Sequence, residues 1–120
     1  MTKRDEPLAR IEMLQGTLDL IILQTLRWGP RHGYGLVQMI QSTSRDVLQV
    51  NTGSLYPALH RLAKKKLVEA SWVKSDSGQR VREYRLTDAG RKQLAVERDR
   101  WELMSDVMAR ILAPRQEGEA

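Results

Sequence analysis

The feature that most limits what this chain can fold into is a change of hydrophobic period near Leu67. Before it, apolar residues recur every three or four positions, the spacing of helices buried along one face. From Val68 the pattern alternates, through Val68, Ala70 and Trp72 and again through Arg82, Tyr84 and Leu86. Period two is the spacing of a strand, so a β-hairpin is expected around the polar turn Ser75–Arg80. The helical spacing returns after Thr87. With 120 residues and 13.8 kDa, all of these elements must share one core. The expected fold class is therefore mainly α with a small β-hairpin (α+β), in the order helix, helix, helix, hairpin, long helix.

The first helix is expected over Gly16–Trp28, with Leu18, Ile21, Ile22, Thr25 and Leu26 on one face. Thr17 suits its N-cap and Asp19 its positive start, and Gly29-Pro30 ends it because proline cannot continue the ladder. Leu8, Ile11 and Leu14 suggest a preceding helical turn. Arg31-His32-Gly33-Tyr34-Gly35 reads as a tight connection, its glycines permitting a sharp turn. A second helix follows through Leu36, Val37 and Ile40 and fades at Ser42-Thr43-Ser44. The third starts within Asn51-Thr52-Gly53-Ser54. A Ser54 cap puts Pro57 in the first turn, where its missing N–H costs nothing; a Thr52 cap makes the helix two residues longer. Leu55, Ala58, Leu59 and Leu62 form its buried stripe, and Lys64-Lys65-Lys66 suits its negative end.

Thr87-Asp88-Ala89-Gly90 caps the last helix. Leu94, Trp101, Met104, Met108 and Ile111 keep a 7/3/4/3 spacing, an a/d seam with Glu97 at one d position, widened by Val107 and Leu112. The seam outruns what so small a domain must cover. The division expected is residues 8–87 as the head, 88–113 as a C-terminal helix carrying that seam and 114–120 as a disordered tail.

The charge is unevenly placed. Residues 27–92 carry thirteen basic and five acidic side chains, +8, against −1 for residues 1–26 and −2 for residues 93–120. A basic middle suits phosphates. Absence of Cys removes disulfides, thiol catalysis and cysteine-based metal sites, and His32 and His60 are too far apart in sequence to suggest a metal pair. No metal or cofactor is expected, and no enzyme: neither paired carboxylates nor a supported nucleophile arrangement is present. No run approaches eighteen apolar residues, so no membrane span is expected. Met1-Thr2-Lys3-Arg4-Asp5-Glu6 lacks a signal peptide's apolar run, so a cytoplasmic location is the expectation.

Three helices and a two-stranded ribbon are the plan of a winged helix-turn-helix, in which the third helix enters the major groove of double-stranded DNA. Projected at about 100° per residue, Leu55, Leu59 and Leu62 share one side of that helix. Gly53, Pro57, His60 and Lys64 lie opposite, with Ser54 and Arg61 flanking on one side and Tyr56 on the other. The outer face is small at its start and cationic at its end, which lets a helix approach a groove closely. Lys74, Arg80, Arg82 and Arg85 surround the hairpin. A winged-helix module that binds an acidic protein partner is the alternative from another class.

Three blocks carry a family resemblance. Gly16-Thr17-Leu18-Asp19-Leu20, then Gly29-Pro30-Arg31-His32-Gly33-Tyr34-Gly35, then Asn51 through Leu62 with Gly-Ser-Leu-Tyr-Pro-Ala-Leu at its centre, resemble the signature blocks of PadR-family transcriptional regulators. Tyr84 through Gly90 closes the wing similarly, and the likeness spans about residues 8–112. The resemblance implies a homodimeric repressor on a pseudo-palindromic operator, of the short subgroup with a single C-terminal helix. By matching position it implies DNA contacts from Tyr34, Ser54, Tyr56, Pro57, His60 and Arg61; projection adds Lys64, and the hairpin Lys74, Arg80 and Arg82. Tyr34 and Tyr56 could equally serve packing within the helix-turn-helix. The dimer seam is Leu94, Trp101, Met104, Met108 and Ile111. Effectors of the family include phenolic acids and hydrophobic drugs, and one branch sandwiches flat aromatic ligands between tryptophans of this helix. Trp101, with Met104 beside it, therefore either fills the dimer interface or lines the site of a small aromatic effector.

Overall fold

The computed structural model describes residues 15–115. The early turn through Leu8, Ile11 and Leu14, and the tail beyond Arg115, lie outside the described residues. Within them the order is α1 (Gln15–Arg27), β1 (Arg31–His32), α2 (Gly33–Thr43), α3 (Thr52–Lys64), β2 (Val68–Lys74), β3 (Arg80–Leu86) and α4 (Asp88–Leu112). This is the α+β winged helix-turn-helix that the change of period implies.

α1 is the hub of the head. It packs against α2, α3, α4 and β3, so its buried residues are spread around it: Leu18, Ile22, Leu23, Thr25 and Leu26. Leu23 falls outside the single stripe read from the sequence, because a helix covered on several sides has no solvent face to betray it. The Thr25 hydroxyl is satisfied locally, donating to the Ile21 carbonyl at 2.7 Å. Thr17 is not the cap, since the helix is already formed at Gln15. The helix stops where expected: Gly29 has φ +136°, a conformation that other residues adopt at a cost.

The sheet is three-stranded, in the order β1-β3-β2, and antiparallel throughout. The expected hairpin is present, with Val68 opposite Leu86 and Lys74 opposite Arg80. The added strand is Arg31-His32, paired with Tyr84 and Glu83, where a plain connection was expected. Two polar residues carry no alternation, and their pairing partner lies about fifty positions away, so the strand has no local signature.

α3 begins with Asn51 as its N-cap, the side chain accepting from the Ser54 N–H at 2.9 Å. Neither Ser54 nor Thr52 is the cap, and Pro57 consequently falls in the second turn. It has no N–H to return to the Gly53 carbonyl. Residue 53 is exposed, so water or a ligand can take that acceptor. At the other end Lys66 adopts φ +62° while the Leu67 N–H reaches the Leu62 carbonyl at 2.9 Å and the Lys66 N–H reaches Ala63, a Schellman closure without the usual glycine.

Thr87 joins three elements. Its Oγ1 accepts from the Gly90 N–H at 2.9 Å, capping α4 as expected, and donates to the Lys66 carbonyl at 2.8 Å. Gly90 packs directly on the Leu67 carbonyl, and Leu94 lies with Leu86 in the core. The first half of α4, as far as Trp101, thus borders the head, and its later turns project away from it.

Candidate nucleic-acid interface

The inner side of α3 seals the core. Leu55, Ala58, Leu59 and Leu62 are essentially inaccessible, so the register of the helix is fixed and its opposite side must face out. Gly53, Ser54, Tyr56, Pro57, His60 and Lys64 are exposed, as the projection requires. Tyr34, in the first turn of α2, is also exposed.

His32 and Gly33 build the turn into α2 in a way that local sequence patterns do not signal. His32 is the N-cap, its Nδ1 accepting from the Gly35 N–H at 3.0 Å. Gly33 is buried under the ring of Tyr56, with room for no Cβ: Cζ and Cε1 of Tyr56 would lie 2.7 and 2.9 Å from it. The glycine therefore serves a close approach of α3, where only the freedom for a tight turn was expected of it. Tyr56 packs one edge on Gly33 and leaves a substantial part of its surface to solvent. Beneath it Tyr84 is buried, which raises its hydroxyl pKa above 10.0; the Arg82 cation pulls the other way and Tyr56 adds to the rise.

Arg61 is placed differently from the other candidates. Its Nη2 donates to Asp19 Oδ1 of α1 at 3.0 Å, and it is only part-exposed. It works inside the head as a strut, which removes part of its charge from the outer face.

The wing adds Lys74, Arg80 and Arg82, all exposed. Between them stands Trp72, a residue not among those expected in the site. Trp72 is 55% exposed, with the guanidinium carbons of Arg80 and Arg82 at 4.9 and 5.3 Å from its ring centroid. The register offered the signal, since Trp72 is opposite Arg82 and the same face carries Arg80. The outer surface of α3 and the wing together offer cationic donors, hydroxyls and an imidazole, groups suited to phosphates and base edges. Among the described residues, no group of three His, Asp or Glu could hold a metal ion, and no helix is long and apolar enough to cross a membrane.

Away from this surface, the expected seam divides in two. Leu94 is 3% exposed within a single chain and packs on Leu86 and its neighbours, so it is core and not an interface residue. Glu97 turns toward the head and accepts from Gln93 Nε2 at 2.7 Å and from Arg100 at 3.4 Å. Beyond it Trp101, Met104, Met108 and Ile111 are exposed, with Leu103 and Leu112. A groove of about 470 Å³ lies between α1, the end of α2 and α4, lined on its apolar side by Leu20, Ile21, Trp28, Ile40, Leu48 and Trp101. Met104 is not part of that lining.

Residues 22–96 match the family described as the transcriptional regulator PadR-like family. Among solved structures, the chain is similar to a PadR-like transcriptional regulator of Bacillus cereus, 30% identical, with a TM-score of 0.74 over 86% of this chain and 98% of that one. It is likewise similar to a transcriptional regulator of Clostridium thermocellum, 26% identical, with a TM-score of 0.75 over 82% and 95% of the two chains. An uncharacterised protein of Lysinibacillus sphaericus is 28% identical over 101 residues, 84% of this chain and 93% of the relative. The match covers well over half of the chain and contains α2, α3 and the whole wing: this protein belongs to the PadR-like family of transcriptional regulators.

Proposed function

We propose that this regulator is a sequence-specific DNA-binding repressor that acts as a homodimer on a pseudo-palindromic operator. The observation that carries the reading is the asymmetry of α3. One side is wholly committed to the core, while the other presents Ser54, Pro57, His60 and Lys64 uncovered, beside a wing bearing Lys74, Arg80 and Arg82. Phosphate contacts from the cations set orientation, and the start of α3 supplies the base contacts. The exposed run Trp101, Met104, Met108 and Ile111 on α4 supports pairing with a second copy, which would set two α3 helices on half-sites roughly 34 Å apart. The groove beside Trp101 supports release by a small aromatic effector, one that prefers a different spacing of the heads.

Electrophoretic mobility shift of DNA from upstream of the protein's own gene tests the reading. With about six phosphates neutralised per dimer, log affinity should fall against log salt with a slope of roughly −5. A slope near zero, or no shift with any duplex enriched from a random pool, would leave the protein-interaction alternative in its place.

A further inference from the structure

Trp72 is a large aromatic that the fold does not use for packing. Along the hairpin, Val68 opposite Leu86 and Ala70 opposite Tyr84 reach the core; the next pair, Trp72 opposite Arg82, stands beyond it. Arg80 and Arg82 lie against the same ring. Two guanidiniums sharing one ring repel each other, and the ring's quadrupole offsets that repulsion. A hairpin that needed only positive charge would gain nothing from such an arrangement.

We propose that Trp72 is a positioning residue for DNA-shape readout: it holds Arg80 and Arg82 as an ordered cationic pair that enters a narrow, A·T-rich minor groove flanking the bases read by α3. The inference rests on the DNA-binding function proposed for the head. A guanidinium carries five N–H donors, more than contact with one ring occupies, so donors remain for acceptors. A narrow minor groove concentrates negative potential and selects arginine, which sheds its water more readily than lysine. Ordering the two side chains beforehand removes part of the entropy otherwise lost on binding. Charge on the hairpin is also sorted. On the face of Trp72 the strands carry Lys74, Arg80 and Arg82 and no acid, while Glu69 and Glu83, with Arg85 beside them, alternate onto the opposite face.

The test uses the full chain and a site enriched from random duplexes, carried on two duplexes that differ only in their flanks, an A·T run or alternating G·C. Fluorescence anisotropy at fixed salt should give about tenfold tighter binding to the A·T-flanked duplex, the order expected for two pre-ordered side chains. Trp72→Ala should abolish that preference while binding to the G·C-flanked duplex stays within about twofold. An Arg80→Lys/Arg82→Lys double variant, which keeps the charge and the tryptophan, should abolish it too and leave the salt slope unchanged. A wild type that binds both duplexes equally, or a double variant that retains the preference, overturns the inference and leaves DNA binding intact. A wild type that binds no duplex overturns the DNA-binding reading, and this inference with it.

Discussion

Arg61 Nη2 lies 3.0 Å from Asp19 Oδ1, tying the helix with the exposed polar face to the hub helix α1. The Asp19 side chain is 15% exposed and that of Arg61 33%, between the surface pairs that contribute almost nothing and the buried pairs whose breaking is severe. Asp19→Ala should therefore cost about 1–3 kcal/mol, because it strands a charged donor. Arg61→Ala should lower stability and DNA affinity together. Lys64→Ala, at an exposed position with no ion pair among the described residues, should leave the urea midpoint unchanged and reduce the dimer's salt slope by about 2, one phosphate per protomer. Equal urea midpoints for wild type and Asp19→Ala would show that the pair is no strut.

Two glycines at close approaches should respond differently to alanine. At Gly90 the added Cβ meets the Leu67 carbonyl oxygen and lies 2.7 Å from Leu86 Cδ1, so backbone must move. Overpacking of that kind costs about 1–3 kcal/mol. At Gly33 the obstacle is the far end of the Tyr56 ring, which has solvent to move into. Gly33→Ala should change the unfolding midpoint little and weaken DNA binding by displacing Tyr56. Denaturant unfolding and anisotropy on both variants separate the two effects.

Much of this organisation is legible in the sequence, and the exceptions share a cause. The α3 stripe and the Thr87 cap are local patterns, and both are found where the spacing puts them. Arg31-His32 becomes a strand only because β3 offers it an edge, a distant partner that no window of residues contains. Leu94 and Trp101 fall on one heptad seam, but spacing does not distinguish an apolar residue covered by its own chain from one left for another. Trp72 follows the alternation of its strand, yet the strand outruns the core. Arg61 satisfies the family pattern for an outer-face residue while its long side chain turns back to Asp19.

Lys66 holds φ +62° at the end of α3, in the left-handed region where a Cβ is crowded. Lys66→Gly should stabilise the head by about 1 kcal/mol, raising the urea midpoint without altering the slope of the transition. A lower midpoint would mean that the lysine side chain contributes more than its backbone strain costs.

Tyr84 links stability to alkaline pH. Burial raises its folded pKa above 10.0, so the folded state holds the phenolic proton more tightly than the unfolded chain. Its contribution is fully present below pH 10 and is lost as the pH rises through the folded value. Tyr84→Phe should abolish that part of the dependence. The stability of wild type minus that of the variant should be flat from about pH 7 to pH 9 and should fall above pH 10. A difference that stays constant through that range would refute the linkage.

The exposed and the buried parts of the α4 seam should separate experimentally. Met104→Glu/Met108→Glu places two carboxylates on the projecting run, where a partner helix would have to bury them, and should give monomers by sedimentation. Linking two heads raises the effective concentration of the second, so loss of the dimer should weaken operator binding by about 10²-fold or more. Leu94→Ala should behave oppositely. It opens a cavity under Leu86 inside one chain, costing about 2–5 kcal/mol of stability, with the oligomeric state unchanged wherever the head remains folded. Unchanged sedimentation of the double glutamate variant would place the dimer contact elsewhere on the molecule. Dissociation by Leu94→Ala under native conditions would return that residue to the interface.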